Sequence, residues 1–106
     1  MVLLLRRFIG ELSEGAFREH RELAWYAKKL FVTPEYLSEV CRRVSGRSTG
    51  YFIDLFTAGE IARLLLQKNV PVQRIAKDFS FSSPSYFTRY VVRHLGMTPL
   101  AFRKSR

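Results

Sequence analysis

The chain has 106 residues, which is the length of one domain or of two very small ones sharing a linker. Hydrophobic residues make up 47% of it, enough to bury a core, and this excludes wholesale disorder. The formal net charge of +9 predicts a polyanionic partner, either nucleic acid or an anionic membrane surface. The apolar run Val2–Leu5 is too short for a signal peptide or a membrane span, and the single cysteine excludes an internal disulfide. These features are typical of a cytoplasmic protein.

Apolar spacing and helix-start residues define three helices in the first half of the chain. Residues 1–20 carry one apolar stripe, which consists of Leu4, Leu5, Phe8, Ile9, Leu12, Ala16 and Phe17. A second helix over residues 21–30 is expected to bury Leu23, Ala27 and Leu30. Thr33 and Pro34 then supply a capping hydroxyl and a helix-ready φ for a third helix, Pro34–Ser45, which ends at Gly46. The residues of this helix expected to face inward are Leu37, Val40, Cys41 and Val44.

Four more helices follow in the second half. Ser48 is expected to cap a long helix that runs to about Gln67, with apolar residues at Phe52, Leu55, Phe56, Leu65 and Leu66. Pro71 begins a fifth helix, Pro71–Phe79. The pairs Ser83-Pro84 and Thr98-Pro99 begin a sixth helix, which ends at Gly96, and a short seventh one, Pro99–Arg103. Because no strand-like alternation of useful length occurs, the predicted fold is all-α with seven helices.

Two segments of the chain, Leu23–Phe52 and Val72–Phe102, repeat one design. The alignment pairs Ala27 with Ala76 before a turn and Pro34 with Pro84 after it, so the second turn is one residue longer. Each copy reads as helix, tight turn and helix with one polar side, which is a helix-turn-helix unit. The predicted organisation is a first unit with the N-terminal helix at 1–47, a linker helix at 48–67 and a second unit at 68–106.

The third and sixth helices each leave one polar stripe open at i, i+3, i+4 and i+7. The first stripe consists of Glu35, Ser38, Glu39 and Arg42, and these residues align with Ser85, Thr88, Arg89 and Val92. A solvated face is the ordinary explanation for one such stripe. Two copies joined by a helix on the order of 28 Å long favour duplex DNA, because successive major-groove segments lie about 34 Å apart. We therefore predict sequence-specific binding of double-stranded DNA.

The chain resembles the C-terminal DNA-binding domain of AraC/XylS-type bacterial transcription regulators over about residues 5–103. The motifs that carry the resemblance are YAKKLFVTPEYLSEVCRRVSG and RIAKDFSFSSPSYFTRYVVRHLGMTPLAFR. The resemblance implies two recognition helices in adjacent major-groove segments on one side of the DNA. It also implies a role in transcription, a ligand-sensing domain before this one in the full-length regulator, and RNA polymerase as a second expected partner.

The resemblance assigns roles to individual residues. Base reading falls to Glu35, Ser38, Glu39, Arg42, Ser85, Thr88 and Arg89. Phosphate positioning falls to Arg43, Arg47, Ser48, Ser83 and Arg93. Two features depart from the family pattern. Glu35 and Glu39 stand where other members often have a cation or an amide, and Thr57 stands where the family often has arginine. Carboxylates can accept from cytosine N4, but they also repel phosphate.

Other chemistries have weaker support in the sequence. His20, His94 and Cys41 show no metal-ligand or redox spacing, so we expect no enzyme activity, no cofactor and no metal. Arg89 has an alternative role as a surface cation paired with Asp78. Two alternatives for the chain remain open: a basic module that docks an acidic partner such as a polymerase subunit, and a binder of structured RNA. We expect no membrane partner, because the polar face of the N-terminal helix mixes acids with bases, whereas a membrane-surface helix has a basic polar face.

Overall fold

The computed structural model describes residues 1–105, and they form an all-helical chain. The helices are α1 (Val2–Ser13), α2 (Leu23–Lys29), α3 (Pro34–Ser45), α4 (Thr49–Leu65), α5 (Val72–Asp78), α6 (Pro84–Leu95) and α7 (Pro99–Lys104). A 3₁₀ turn, Ala16–Arg18, lies between α1 and α2. No strand occurs among the described residues. The predicted all-α class with seven helices is confirmed.

Four helices begin with a hydroxyl side chain that accepts a hydrogen bond from the backbone N–H three residues later. The pairs are Thr33 with Tyr36 (3.1 Å), Ser48 with Tyr51 (3.0 Å), Ser83 with Tyr86 (3.1 Å) and Thr98 with Ala101 (3.2 Å). Such caps satisfy N–H groups that have no partner within the helix. At the other end, Gly46 and Gly96 follow α3 and α6 with φ of 77° and 83°, a conformation that glycine adopts without strain.

The turn between α2 and α3 has the same backbone design as the turn between α5 and α6. Phe31 and Ser80 both adopt left-handed φ, 61° and 60°. The next N–H in each turn, from Val32 or Phe81, donates to the carbonyl of Ala27 or Ala76 at 3.0 Å. The structure thus repeats where the sequence repeats, and the extra residue of the second turn is Ser82.

The chain divides into two compact units, and the first, Met1–Phe56, has an aromatic centre. The Phe8 ring packs edge-on against Tyr26, with ring centroids 5.3 Å apart, and against Phe52 at 6.5 Å. The Tyr26 side chain is fully buried, and its hydroxyl donates to the His20 carbonyl at 2.7 Å. Helices α1 and α2 both pack on α3. These contacts fix the orientation of α3, so that the polar face of α3 remains open.

The second unit begins at Thr57 and contains the rest of α4 with α5, α6 and α7. Its core side chains are Ile61, Leu65, Ile75, Phe79, Phe87 and Val91. The Arg103 guanidinium of α7 donates to the carbonyl of Leu65, the last residue of α4, at 2.7 Å. It also donates to the carbonyls of Gln67 and Val70 in the loop before α5. One side chain therefore closes the end of α4 and orders that loop.

The N-terminal helix is shorter than predicted. It ends at Ser13, because Gly15 takes a left-handed φ of 95° and turns the chain out of the helix. Ala16 and Phe17 consequently lie in the 3₁₀ turn and not on the stripe of α1, although Phe17 is buried. The second helix likewise begins at Leu23 and not at Arg21.

One predicted core position is wrong, since Val44 is 37% exposed. In α4 the apolar residues Leu55 and Leu66 are also exposed, at 53% and 38%. The buried face of α4 instead contains Ile53, Thr57, Ile61 and Leu65, which are spaced by one helical turn. A search for apolar residues misses this face, because the fully buried Thr57 interrupts it.

Candidate nucleic-acid interface

The predicted stripe on α3 lies on the side of the helix opposite its core residues. Leu37, Val40 and Cys41 are buried, whereas Glu35, Glu39 and Arg42 are exposed and Ser38 is half-buried. The Thr33 cap and Pro34 fix where the helix begins, so they also fix which residues fall on this face. The stripe therefore presents a polar surface of mixed charge.

One acid on this stripe has a partner. The Glu39 carboxylate lies 3.3 Å from Nε of Arg43, four residues later on α3, and both side chains are largely exposed. This ion pair joins a predicted base-reading residue to a predicted phosphate contact. Among the described residues, neither Glu35 nor Arg42 forms an ion pair.

The corresponding stripe on α6 contains no acid. Ser85, Arg89 and Val92 are exposed and Thr88 is half-buried, while Phe87 and Val91 pack on the core side. Arg89 does not pair with Asp78, since the Asp78 carboxylate lies 3.7 Å from Nε of Arg74 on α5. Within residues 1–105, Arg89 forms no hydrogen bond or ion pair, so its guanidinium is available to a ligand.

The predicted phosphate contacts differ in their availability. The Ser48 and Ser83 hydroxyl oxygens accept the capping bonds of α4 and α6, and their hydrogens remain able to donate. The Arg47 guanidinium lies over the Tyr51 ring, 4.7 Å from its centroid, which orients the cation. Arg93 is exposed on α6, whereas Arg43 already contacts Glu39.

Two exposed tyrosines are candidate contacts that the sequence analysis missed. Tyr36 and Tyr86 occupy equivalent positions in the first turns of α3 and α6, two residues after Pro34 and Pro84. Tyr86 packs edge-on against Phe81, with ring centroids 5.6 Å apart. The sequence could have indicated these two residues, because tyrosine occupies the same position in both copies of the repeat.

The cysteine and the two histidines pack against other side chains of the fold. Cys41 is fully buried, and burial raises the pKa of its thiol, which disfavours the reactive thiolate. The His20 ring stacks on Trp25 at 4.0 Å, and the His94 ring lies 4.3 Å from Tyr90. Over the described residues, no cluster of three or more acids, histidines or cysteines could hold a metal ion. Nor does any helix within residues 1–105 have the length and apolar character to cross a bilayer.

Comparison with known sequences gives a family match. The profile of the family described as "Helix-turn-helix domain" matches residues 26–105. The uncharacterized transcriptional regulatory protein YesN of Bacillus subtilis is 26% identical over 106 residues. That match covers 97% of this chain but only 29% of YesN, so the chain spans less than a third of this relative's length.

Solved structures with the same architecture include the C-terminal domain of AraT, a response regulator from Geobacillus stearothermophilus. The TM-score is 0.87 with 25% sequence identity, over 97% of this chain and 85% of that one. A Listeria innocua protein of unknown function gives a TM-score of 0.81 at 20% identity, over 96% of both chains. A DNA-binding transcriptional dual regulator from Escherichia coli K-12 gives 0.76 at 19% identity, over 97% of both chains. The last two similarities establish the fold alone.

Proposed function

The chain belongs to the AraC-type helix-turn-helix family of DNA-binding transcription regulators, which is not an enzyme family, and we propose that it reads duplex DNA through α3 and α6. Each of these helices follows a turn of the same backbone design and begins with a hydroxyl cap and a proline. Each leaves one polar stripe exposed. This repeated, open stripe is the observation that carries the proposal. In it, the chain binds as a monomer and places the two helices in successive major-groove segments.

The α6 stripe is proposed as the stronger base reader. No acid within residues 1–105 pairs with the Arg89 guanidinium, which can donate two parallel hydrogen bonds to O6 and N7 of one guanine. Ser85 and Thr88 flank it with short hydroxyls that can donate to a base edge or accept from one. These three residues supply donors and acceptors without a repulsive charge on their face.

The α3 stripe is proposed as a second, unlike subsite. Ser38 and Arg42 can donate to base edges there, as Thr88 and Arg89 do on α6. Glu35 and Glu39 lie on the same face, where a carboxylate can accept from cytosine N4 or repel a phosphate. Because the Glu39 carboxylate lies beside the Arg43 guanidinium, the two charges cancel and this pair offers no net positive charge to DNA.

Phosphate contacts are proposed for residues beside the two stripes. They are Arg43, Arg47, Ser48, Ser83 and Arg93. Hydroxyls and cations of this kind set the register of a protein on the duplex without reading its sequence. The net charge of +9 supports a large salt-dependent part of the affinity.

We place this unit within a larger cytoplasmic regulator. The match to less than a third of YesN supports further domains, among which we propose a ligand-sensing one. RNA polymerase is the second partner proposed for the regulator, beside the DNA.

The test is a footprint with measured stoichiometry. Genomic fragments that bind the purified chain are first selected. Hydroxyl-radical cleavage then maps the positions that the bound chain protects, and native mass spectrometry measures the mass of the complex. We expect one chain per site and two unlike half-sites, arranged as a direct repeat about 10 bp apart from centre to centre. A perfect palindrome occupied only by dimers would contradict the proposal. Equal affinity for selected and scrambled duplexes in moderate salt would instead favour a basic protein-docking module.

A further inference from the structure

The second unit contains a pocket to which the DNA-binding proposal assigns no ligand. It lies between α5 and the first turn of α6, and its volume is about 300 Å³. Its apolar walls come from Val72, Ala76, Phe81 and Phe87, and Ser82, the extra residue of the longer turn, also lines it. A volume of about 300 Å³ is at the small end of the range for pockets that bind small molecules.

The walls of this pocket are aromatic and held in place. The Phe81 ring lies 5.2 Å from the Phe87 ring and 5.2 Å from the Tyr90 ring, measured between centroids. Phe87 is buried in the core of the unit, so the wall it forms is anchored. A flat aromatic molecule is the kind of ligand that offset or edge-on ring contacts favour.

The polar residues that line the pocket are available to a ligand. Among the described residues, the side chains of Gln73, Lys77, Ser82 and Thr88 form no hydrogen bond or ion pair. Lys77 is the one charged residue among those that line the pocket, and no acid accompanies it there. The pocket therefore combines apolar walls with a cation and hydroxyl donors, which suits an anionic head group.

We propose that this pocket binds a small aromatic carboxylate, with its rings against Phe81 and Phe87 and its carboxylate beside Lys77. Ser83 and Thr88 line the pocket and also belong to the proposed DNA-contacting surface. Binding of the carboxylate therefore competes with DNA, a consequence that rests on the proposed function. By linkage, saturating ligand weakens DNA binding by the same factor as saturating DNA weakens ligand binding.

The first experiment titrates indole-3-acetate into the isotopically labelled full chain without DNA and follows backbone amide shifts by NMR. Indole-3-acetamide, which has the same rings without the charge, is the matched control. We expect saturable shifts centred on residues 72–88, with tighter binding of the carboxylate. Lys77→Gln should weaken indole-3-acetate binding about two- to fivefold, the size expected for an exposed charge pair, and leave the amide unaffected.

Two substitutions fill the pocket. Ala76→Leu adds apolar volume to a wall, and Gln73→Trp places a large ring at an exposed lining position. Circular dichroism identifies which of the two folds, and a folded variant should lose the shifts. The proposal is overturned if wild-type chain shows no saturable shifts, if the shifts survive in a folded filled variant, or if Lys77→Gln weakens both ligands alike.

The second experiment measures the affinity for a footprinted duplex with and without saturating indole-3-acetate. We expect weaker DNA binding in wild type and no effect in a folded filled variant. Unchanged DNA affinity with a bound ligand would overturn the competition. A chain that binds no specific DNA would refute the proposed function, and the NMR titration would still decide whether the pocket binds a carboxylate.

Discussion

The Glu39 carboxylate lies 3.3 Å from the Arg43 guanidinium, one turn further along α3. In the second unit the aligned residues are Arg89 and Arg93, both exposed. The same two places on the repeat therefore hold a neutralised ion pair in one copy and two cations in the other. This difference predicts that the two units contribute unequally to DNA affinity.

Replacing Glu35 and Glu39 together with alanine tests the acidic face of α3. We expect tighter binding to every duplex, because two repulsive charges disappear and Arg43 becomes free to meet phosphate. The slope of log affinity against log salt should steepen by about one for that additional contact. Fluorescence anisotropy over a salt series measures both quantities. A loss of about 1–3 kcal/mol confined to the cognate duplex would instead show that one of the acids reads cytosine.

Arg89→Ala and Arg93→Ala separate base reading from phosphate contact on α6. Arg89→Ala should cost about 1–3 kcal/mol on the best site and remove the preference at one base pair. Arg93→Ala should weaken binding to all duplexes similarly and reduce the salt slope by about one. The measurement uses one consensus duplex and its single-base changes. If both variants lose affinity uniformly, the assignment of base reading to this face of α6 is wrong.

Phe31→Asn should stabilise the chain. Phe31 holds a left-handed φ of 61°, which is strained for a residue with a β carbon, and its side chain is 91% exposed, so burial of the ring offsets little of that strain. Asparagine tolerates this conformation better, and we expect a gain of about 1 kcal/mol in the free energy of unfolding. Thermal melting measures it as a rise of several degrees in Tm. Leu100→Asn, which also removes an exposed apolar side chain but from a helix, should give no gain.

Arg103→Ala should destabilise the second unit. It leaves the carbonyls of Leu65, Gln67 and Val70 without their guanidinium donor, at a cost of about 1–3 kcal/mol in the free energy of unfolding. Urea denaturation followed by circular dichroism measures the loss. The neighbouring exposed cation Lys104 serves as the control, since Lys104→Ala removes the same charge without those bonds. Equal stability of the two variants would show that the three hydrogen bonds contribute nothing.

The raised pKa of Tyr26 predicts that the folded chain loses stability at alkaline pH. Burial raises the pKa of Tyr26 to about 12, with a further increase from Glu11 and Glu22 that Arg21 opposes. Above the ordinary pKa of 10 the unfolded chain releases this proton while the folded chain retains it. The Tyr26 contribution to stability therefore falls by about 1.4 kcal/mol per pH unit between pH 10 and 12.

The matched variant for this effect is Tyr26→Phe. It lacks the hydroxyl that donates to the His20 carbonyl, so it should be less stable than wild type at neutral pH. The difference in unfolding free energy between the two should shrink as the pH rises through 10, as urea denaturation at several pH values would show. A constant difference would contradict the raised pKa.

Local signals predicted the ends of the helices better than their buried faces. The bounds of α3 and the start of α6 follow from a hydroxyl, a proline and a glycine, whose effects act within one turn of the backbone. The burial of Tyr26 and Thr57 could not be predicted in this way, since it depends on contacts made elsewhere in the fold. A buried tyrosine usually needs a hydrogen-bond partner for its hydroxyl, and for Tyr26 that partner is the carbonyl of His20 in a loop.

In the candidate site, too, local sequence predicts some features, whereas others depend on tertiary contacts. The open stripes on α3 and α6 were predictable, because helical periodicity decides which residues oppose the core. The pocket beside α6 was not predictable, because its lining combines side chains of α5, of the turn and of α6, whose relative placement depends on tertiary packing. Whether Arg89 would pair with Asp78 was also open until the structure placed that acid beside Arg74.

The boundary between the two compact units falls inside one helix, between Phe56 and Thr57 in the middle of α4. Each half of α4 is shorter than the roughly 12–15 residues that an isolated helix needs to be even marginally stable in water. Because α4 belongs to both units, one helix-turn-helix unit cannot be replaced independently of the other. In a chimaeric regulator, a crossover in the loop at residues 66–71 would leave α4 whole, but it would separate Ile61 and Leu65 from the core of their own unit and Arg103 from the Leu65 carbonyl. A crossover at Phe56 would join two half-helices selected in different proteins, and the buried face that runs from Ile53 to Leu65 would be mismatched.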